Sequence, residues 1–290
     1  MKCFHHNDMD GRSAGAIVAL YELNYNQDDF IEVDYIQPLP LHLINEGERV
    51  YFVDYSFKES TVWQLDEVLK KTSDVIWCDH HTSSIKLLKK RPDLKSVKGI
   101  VKDKISGAGL IYMYLYNKEG IDDCPKAIQL VSDYDCWIYK LGEETTHFKL
   151  GVDSVDNSAL SNQWVELIEN FNNEPLEHIT SKGTIIKSYI DTDNEQYLSQ
   201  YGYESELDGI PCYVVNRKSN SWIFGDKINQ YPFVSVFAFN GSKFSYSLFS
   251  IDENFDCSKL AEKYGGGGHK GAAGFFSDEL LFKKINSEER

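Results

Sequence analysis

Trp77-Cys78-Asp79-His80-His81-Thr82-Ser83 is the stretch on which the reading of this chain turns, because it sets one carboxylate and two imidazoles side by side after an apolar run. Val75, Ile76, Trp77 and Cys78 read as a buried strand of an α/β sheet. Asp79, His80 and His81 then fall at its carboxyl end, where such sheets place their ligands. A histidine pair standing alone is as readily a chance surface feature. Three further segments repeat the arrangement: His6-Asn7-Asp8-Met9-Asp10 after the first apolar segment, Asp54 after Val50-Tyr51-Phe52-Val53, and Asp133 and Asp135 after Ile128-Gln129-Leu130-Val131.

Around these segments strand and helix alternate. Strands are predicted over residues 3–6, 31–35, 50–54 and 75–78, with helices over 11–20 and 61–71, and that alternation implies a parallel sheet. The loop carrying His6, Asp8 and Asp10 can point three ligands into one pocket, although Asp8 and Asp10 also suit plain turn and N-cap positions. Ser106-Gly107-Ala108-Gly109 opens another helix at a small-residue loop, a weak phosphate signal. Trp137, within a turn of Asp133, is expected in the core. From 157 to about 201 the pattern is helical and polar, with Pro175 breaking two helices. Strand character then returns at 212–215, 233–239 and 244–249, and closes on Gly265-Gly266-Gly267-Gly268-His269-Lys270, where successive glycines let backbone N–H groups approach a ligand.

The bulk composition restricts the function classes. The 290 residues allow two domains with proper cores. The formal net charge of −15 argues against gripping long duplex nucleic acid through its phosphates. No secretory leader and no run of transmembrane length is read, so the cytoplasm is expected and no membrane partner. The six cysteines form no Cys-x-x-Cys pair and are expected as free thiols, with Cys78 and Cys136 packing rather than ligating. Carboxylates with two or three imidazoles suit a hard-to-borderline divalent ion such as manganese, and so many ligand segments suit two ions better than one. A nicotinamide enzyme would carry Gly-x-Gly-x-x-Gly after the first strand, and Gly11 to Gly15 does not supply it.

Taken in order, His6-Asn7-Asp8-Met9-Asp10-Gly11, Asp54, Asp79-His80-His81, Asp133 before Trp137, and Gly265 to His269 span nearly the whole chain. In this the sequence resembles the DHH phosphoesterase superfamily, in its form with a DHH-associated C-terminal domain. The resemblance implies a parallel-sheet catalytic domain over 1–180, a helical linker over 181–206 and a smaller mixed α/β domain over 207–290, with the active site in the cleft between the domains. It implies two divalent ions, most readily Mn2+: one held by His6, Asp8 and Asp54, the other by Asp10, Asp54, His80 and Asp133, Asp54 bridging. Asp133 is preferred to Asp135 for its spacing to Trp137. His81 is implied as a transition-state or leaving-group contact, Asp79 as a carboxylate behind the ligands that orients a histidine, and Gly266, Gly267, Gly268 and His269 as substrate contacts.

One departure stands out. Phe249 occupies a place where related sequences carry an arginine, so that either Arg217, Lys218 or Lys270 meets a phosphate there or the substrate differs from the family's common ones. The Asn-Asp-x-Asp-Gly form of the first motif is most similar to the nanoRNases. The implied activity is hydrolysis of short oligoribonucleotides to nucleoside monophosphates by a hydroxide activated between two metals. Cyclic or linear dinucleotide signals and 3′-phosphoadenosine 5′-phosphate are alternative substrates, a non-catalytic nucleotide sensor is a distant one, and a homodimer is compatible.

Overall fold

Four short, largely apolar strands pair in parallel to form the first sheet. These are β1 (Lys2–His6), β2 (Phe30–Val33), β3 (Val50–Val53) and β4 (Val75–Cys78), in the order β2-β1-β3-β4. Every residue of β3 and β4 is buried, as expected of strands covered on both faces. The register sets His5, Val53 and Cys78 in one row across β1, β3 and β4. His6, Asp54 and Asp79 therefore follow one residue further on, along a single carboxyl edge.

Helices complete this unit on both faces: α1 (Met9–Tyr21), α2 (Val62–Lys71), α3 (Thr82–Lys90), α4 (Gly107–Tyr116), α5 (Lys126–Asp135), α6 (Glu143–Asp153) and α7 (Asn162–Glu169). One core joins Ile17, Tyr51, Ile76, Leu110 and Val131, and the other joins Phe4, Phe52, Leu65, Trp77 and Leu87. Helix α1 lies close to the sheet because it is small-sided. A Cβ on Gly11 would stand 2.4 Å from the His6 carbonyl oxygen, and one on Gly15 would stand 2.9 Å from the buried His5 ring.

A long helix, α8 (Glu174–Tyr201), runs past Lys187, where a second compact unit begins. Pro175 sits in its first turn, where a missing N–H is harmless. The helical linker expected over 181–206 is corrected: it is the later part of α8 followed by strand β5 (Gly202–Leu207). In β5 Ser205 and Leu207 alternate inward, which makes this segment a half-buried strand.

The second unit is a six-stranded sheet in the order β5-β6-β7-β8-β10-β9, with β6 (Ile210–Asn216), β7 (Phe233–Phe239) and β8 (Phe244–Phe249). After α9 (Cys257–Glu262) come β9 (Gly267–Gly268) and β10 (Ala272–Ser277). Only β6 and β7 pair in parallel. The architecture, seen in a computed structural model that describes residues 1–169, 173–218 and 221–285, is thus two α/β units, one parallel and one mixed. Among the described residues no helix is long and apolar enough to cross a membrane, and all six cysteines are free.

Candidate metal centre

The carboxyl edge of the first sheet gathers the motif residues. His6 ends β1, and its Nδ1 lies 2.7 Å from Asp8 Oδ2 and 3.8 Å from Asp54 Oδ2. The other oxygen of Asp8 caps α1 by accepting the Gly11 N–H at 2.9 Å. From the far side, His80 Nε2 lies 3.0 Å from Asp135 Oδ2, 3.3 Å from Asp54 Oδ1 and 3.7 Å from Asp10 Oδ2. Asp54 stands between the two groups, one oxygen toward each imidazole.

Two features of Asp54 set it apart. It is buried, and its φ of +53° is a left-handed conformation that costs a non-glycine residue roughly 1–2 kcal/mol. Its buried Oδ1 accepts no hydrogen bond of good geometry, the imidazole of His80 standing 3.3 Å away. Gly107 makes the placement feasible, because a Cβ there would stand 2.5 Å from the Asp54 Cβ and 2.8 Å from its Cα.

Asp10 is held differently. Its carboxylate accepts the N–H groups of Gly107 at 2.6 Å and Ala108 at 2.8 Å, at the N-terminus of α4. The helix end that might have met a phosphate is thus taken by an internal carboxylate, which the helix dipole favours. His81 occupies the N-cap position of α3 without a side-chain capping bond, and its Nδ1 lies 2.7 Å from Asp79 Oδ1. That contact fixes the imidazole tautomer and leaves Nε2 available. Tyr35, which sequence reading passed over, packs its ring 5.2 Å from that of His6 and 6.2 Å from that of His81, with the Lys58 ammonium 5.1 Å away. No charged or periodic pattern around Tyr35 distinguished it in the sequence.

The choice between Asp133 and Asp135 is corrected by the geometry. Residues two apart on a helix point roughly 200° apart, so only one of them can face the cluster. Asp133 is turned inward, where its carboxylate accepts the N–H groups of Lys140 and Leu141 at 2.8 and 3.0 Å and the Thr145 hydroxyl at 2.5 Å. Asp135 stands beside His80. Cys136 Sγ lies 3.9 Å from His80 Nδ1, whereas Cys78 is buried and its thiol is pushed up to about 12 by that burial. Trp137, expected in the core, is 75% exposed.

The electrostatics are those of a site that wants cations. Burial raises Asp54 well above the usual carboxylate range, and the neighbouring Asp10 adds to it. Burial and the charge of Asp135 push Asp10 up to about 7. Burial opposes charge on His80, but the carboxylates of Asp135 and Asp54 outweigh it and raise its pKa. Asp8 is likewise desolvated, yet its hydrogen bond with His6 brings it down to about 2. Among the described residues no lysine or arginine forms an ion pair with Asp8, Asp10, Asp54 or Asp135. Donor atoms of His6, Asp8 and Asp54, of Asp54, His80 and His81, and of His80, Asp135 and Cys136 each lie within 4.8 Å of one another. Oxygen and imidazole donors around an orphaned buried carboxylate oxygen fit divalent ions.

The expected substrate contacts belong to the second unit. Gly266 lies so near β10 that a Cβ would stand 2.1 Å from the Gly274 carbonyl oxygen, and Gly268 has φ +148°. His269 is exposed, its N–H donating to the Ala272 carbonyl at 2.7 Å. Arg217 is engaged by Asp193 at 2.7 Å and lies 4.8 Å from the Tyr197 ring centre, while Lys218 and Lys270 are exposed.

No protein-family model matches the chain. Over 237 residues it is 27% identical to the uncharacterized protein R106 of Acanthamoeba polyphaga mimivirus, covering 79% of this chain and 53% of that protein, or about half its length. It is 22% identical over an alignment of 309 positions, gaps included, to oligoribonuclease NrnB of Bacillus subtilis, covering 98% of this chain and 75% of NrnB. Among solved structures it is similar to the pGpG-specific phosphodiesterase PggH of Vibrio cholerae, with a TM-score of 0.55, 14% identity and coverage of 96% of this chain and 92% of that one. It is also similar to the DHH domain of a protein assigned to a ribosomal-protein family, with a TM-score of 0.59, 13% identity and coverage of 95% and 82%. The chain shares its overall fold with these two structures, one of which is a DHH domain.

Proposed function

We propose that this protein is a metal-dependent phosphodiesterase that hydrolyses short linear oligoribonucleotides to nucleoside monophosphates. The observation that carries the reading is Asp54, a strained, buried carboxylate with one oxygen toward His6 and the other toward His80. His6, Asp8 and Asp54 would hold one ion, and Asp54, His80 and Asp135, with Asp10 behind them, the other. When bound, two such ions neutralise a phosphoryl group and lower the pKa of a water. Manganese suits the oxygen and imidazole donor set.

The chain's own residues supply position and proton control. Asp79 holds His81 through Nδ1, so that its Nε2 is free to serve the leaving oxygen. Gly266, Gly267 and Gly268 offer a backbone approach to the substrate, and His269 a side chain. The acidic chain suits a short ligand whose charge is met by bound ions rather than by lysines. The names of NrnB and PggH support a short nucleotide substrate.

The test is a rate comparison with Mn2+ across di- to pentaribonucleotides, a long oligomer, cyclic dinucleotides and 3′-phosphoadenosine 5′-phosphate. Fastest mononucleotide release from the shortest linear RNA is expected. Equal rates on the long oligomer would remove the short-substrate reading. Preference for a cyclic dinucleotide or the bisphosphate would move the protein to signalling or salvage, and metal and nucleotide binding without turnover would make it a sensor.

A further inference from the structure

We propose that Trp137 is a stacking platform for a nucleobase of the substrate, held beside the metal-ligand cluster by Asp133; this rests on the nucleotide phosphoesterase reading above. Asp135 and Cys136 both reach His80, at 3.0 and 3.9 Å, and Trp137 is the next residue. Its backbone is therefore one residue from the cluster, and its indole, at 75%, is more exposed than Trp63 at 52% and unlike the buried Trp77 and Trp164.

The backbone around it is constrained as well. Trp137 has φ +57° and Tyr139 φ +50°, two non-glycine residues in the left-handed region within three positions. Such conformations persist where the surroundings impose them, and they cluster at ligand sites. What imposes them is Asp133. Its carbonyl accepts the N–H groups of Ile138 and Tyr139, at 3.0 and 3.3 Å, and its buried carboxylate accepts those of Lys140 and Leu141 together with the Thr145 hydroxyl. The ring is also buttressed from behind. Tyr139 meets Trp137 edge-on at 6.2 Å and meets Tyr134 at 6.1 Å, and the Lys149 ammonium lies 5.4 Å from the Tyr134 ring centre.

An exposed indole on a constrained backbone, one residue from the proposed metal ligands, matches the chemistry of a base bound by its π-face, which tolerates any of the four bases. An aromatic fixed in advance also loses little freedom when it stacks. Asp133 in this scheme is a positioning residue: it touches no substrate and acts through Trp137.

The test uses the full chain with Mg2+ and a 5′-phosphorylated 2-aminopurine dinucleotide whose linkage is a non-hydrolysable methylenephosphonate. The wild-type protein is expected to quench the 2-aminopurine as it stacks. Trp137→Ala should bind roughly 5- to 100-fold more weakly and lose the quench, while Trp137→Phe should stay within about three-fold of wild type. Asp133→Asn should reproduce the Trp137→Ala loss, with circular dichroism confirming a folded protein. Wild-type affinity and quenching in Trp137→Ala would overturn the proposal. Quenching without hydrolysis of the unmodified dinucleotide in Mn2+ would keep the platform and remove the phosphoesterase reading.

Discussion

The carboxyl edge of the first sheet and the glycine-rich hairpin of the second unit present different groups, and the difference follows from how their strands pair. In the parallel sheet the in-line register of β1, β3 and β4 delivers His6, Asp54 and Asp79 to one edge, with His80 and His81 just beyond. Side chains from distant positions in the chain converge there. In the second unit β9 and β10 pair antiparallel through glycines, and what they present is backbone. A site built from convergent side chains is sensitive to each carboxylate. One built from backbone is sensitive to the addition of a Cβ.

The largest effect expected from breaking the first region is that of Asp54→Ala, which removes the carboxylate that the two proposed ions would share. Turnover should fall by at least about a thousand-fold, and the rise in melting temperature on adding Mn2+ should shrink. Calorimetry beside the rate assay checks both. Unchanged turnover would remove the bridging role.

The next comparison lies within two residues. Asp135→Ala should lower activity by roughly a hundred-fold at nearly wild-type stability, as removal of a ligand at an open site does. Asp133→Ala abandons three donors around a buried carboxylate and should cost about 2–4 kcal/mol of stability. Urea denaturation paired with initial rates separates the two. If the stability loss fell on Asp135 instead, the assignment of the pair would reverse.

Gly107→Ala tests support at a distance from the proposed ions, because the new Cβ would press on the Asp54 backbone. Metal affinity should drop roughly 10- to 100-fold with little change in secondary structure. Smallest at the metal centre is Gly268→Ala, which sets a Cβ 2.5 Å from the Ala273 Cα at a φ that side chains rarely adopt. It should raise the KM for a dinucleotide and leave Mn2+ affinity at the wild-type value, as titration of both would show.

These regions were unequally legible in the sequence. The strands of the first sheet were readable because each apolar run ends abruptly in a polar, ligating residue, and the parallel order followed from the intervening helices. Asp133 and Asp135 were not separable by spacing, because both lie on one helix and only its rotation decides which faces His80. Trp137 was misplaced because the expectation that a large aromatic is buried was applied without the two left-handed residues that turn it outward. Tyr35 carries no sequence signal, and its contact with His6 exists only through the fold. In the second unit β5 was hidden because Tyr203, Ser205 and Leu207 alternate with polar residues directly after a long helix.

The most direct test of the central claim is the anomalous scattering of manganese in crystals grown with the metal. Two peaks are predicted, one contacted by His6, Asp8 and Asp54 and the other by Asp54, His80 and Asp135. A single peak, or a peak ligated by Asp133, would contradict the account.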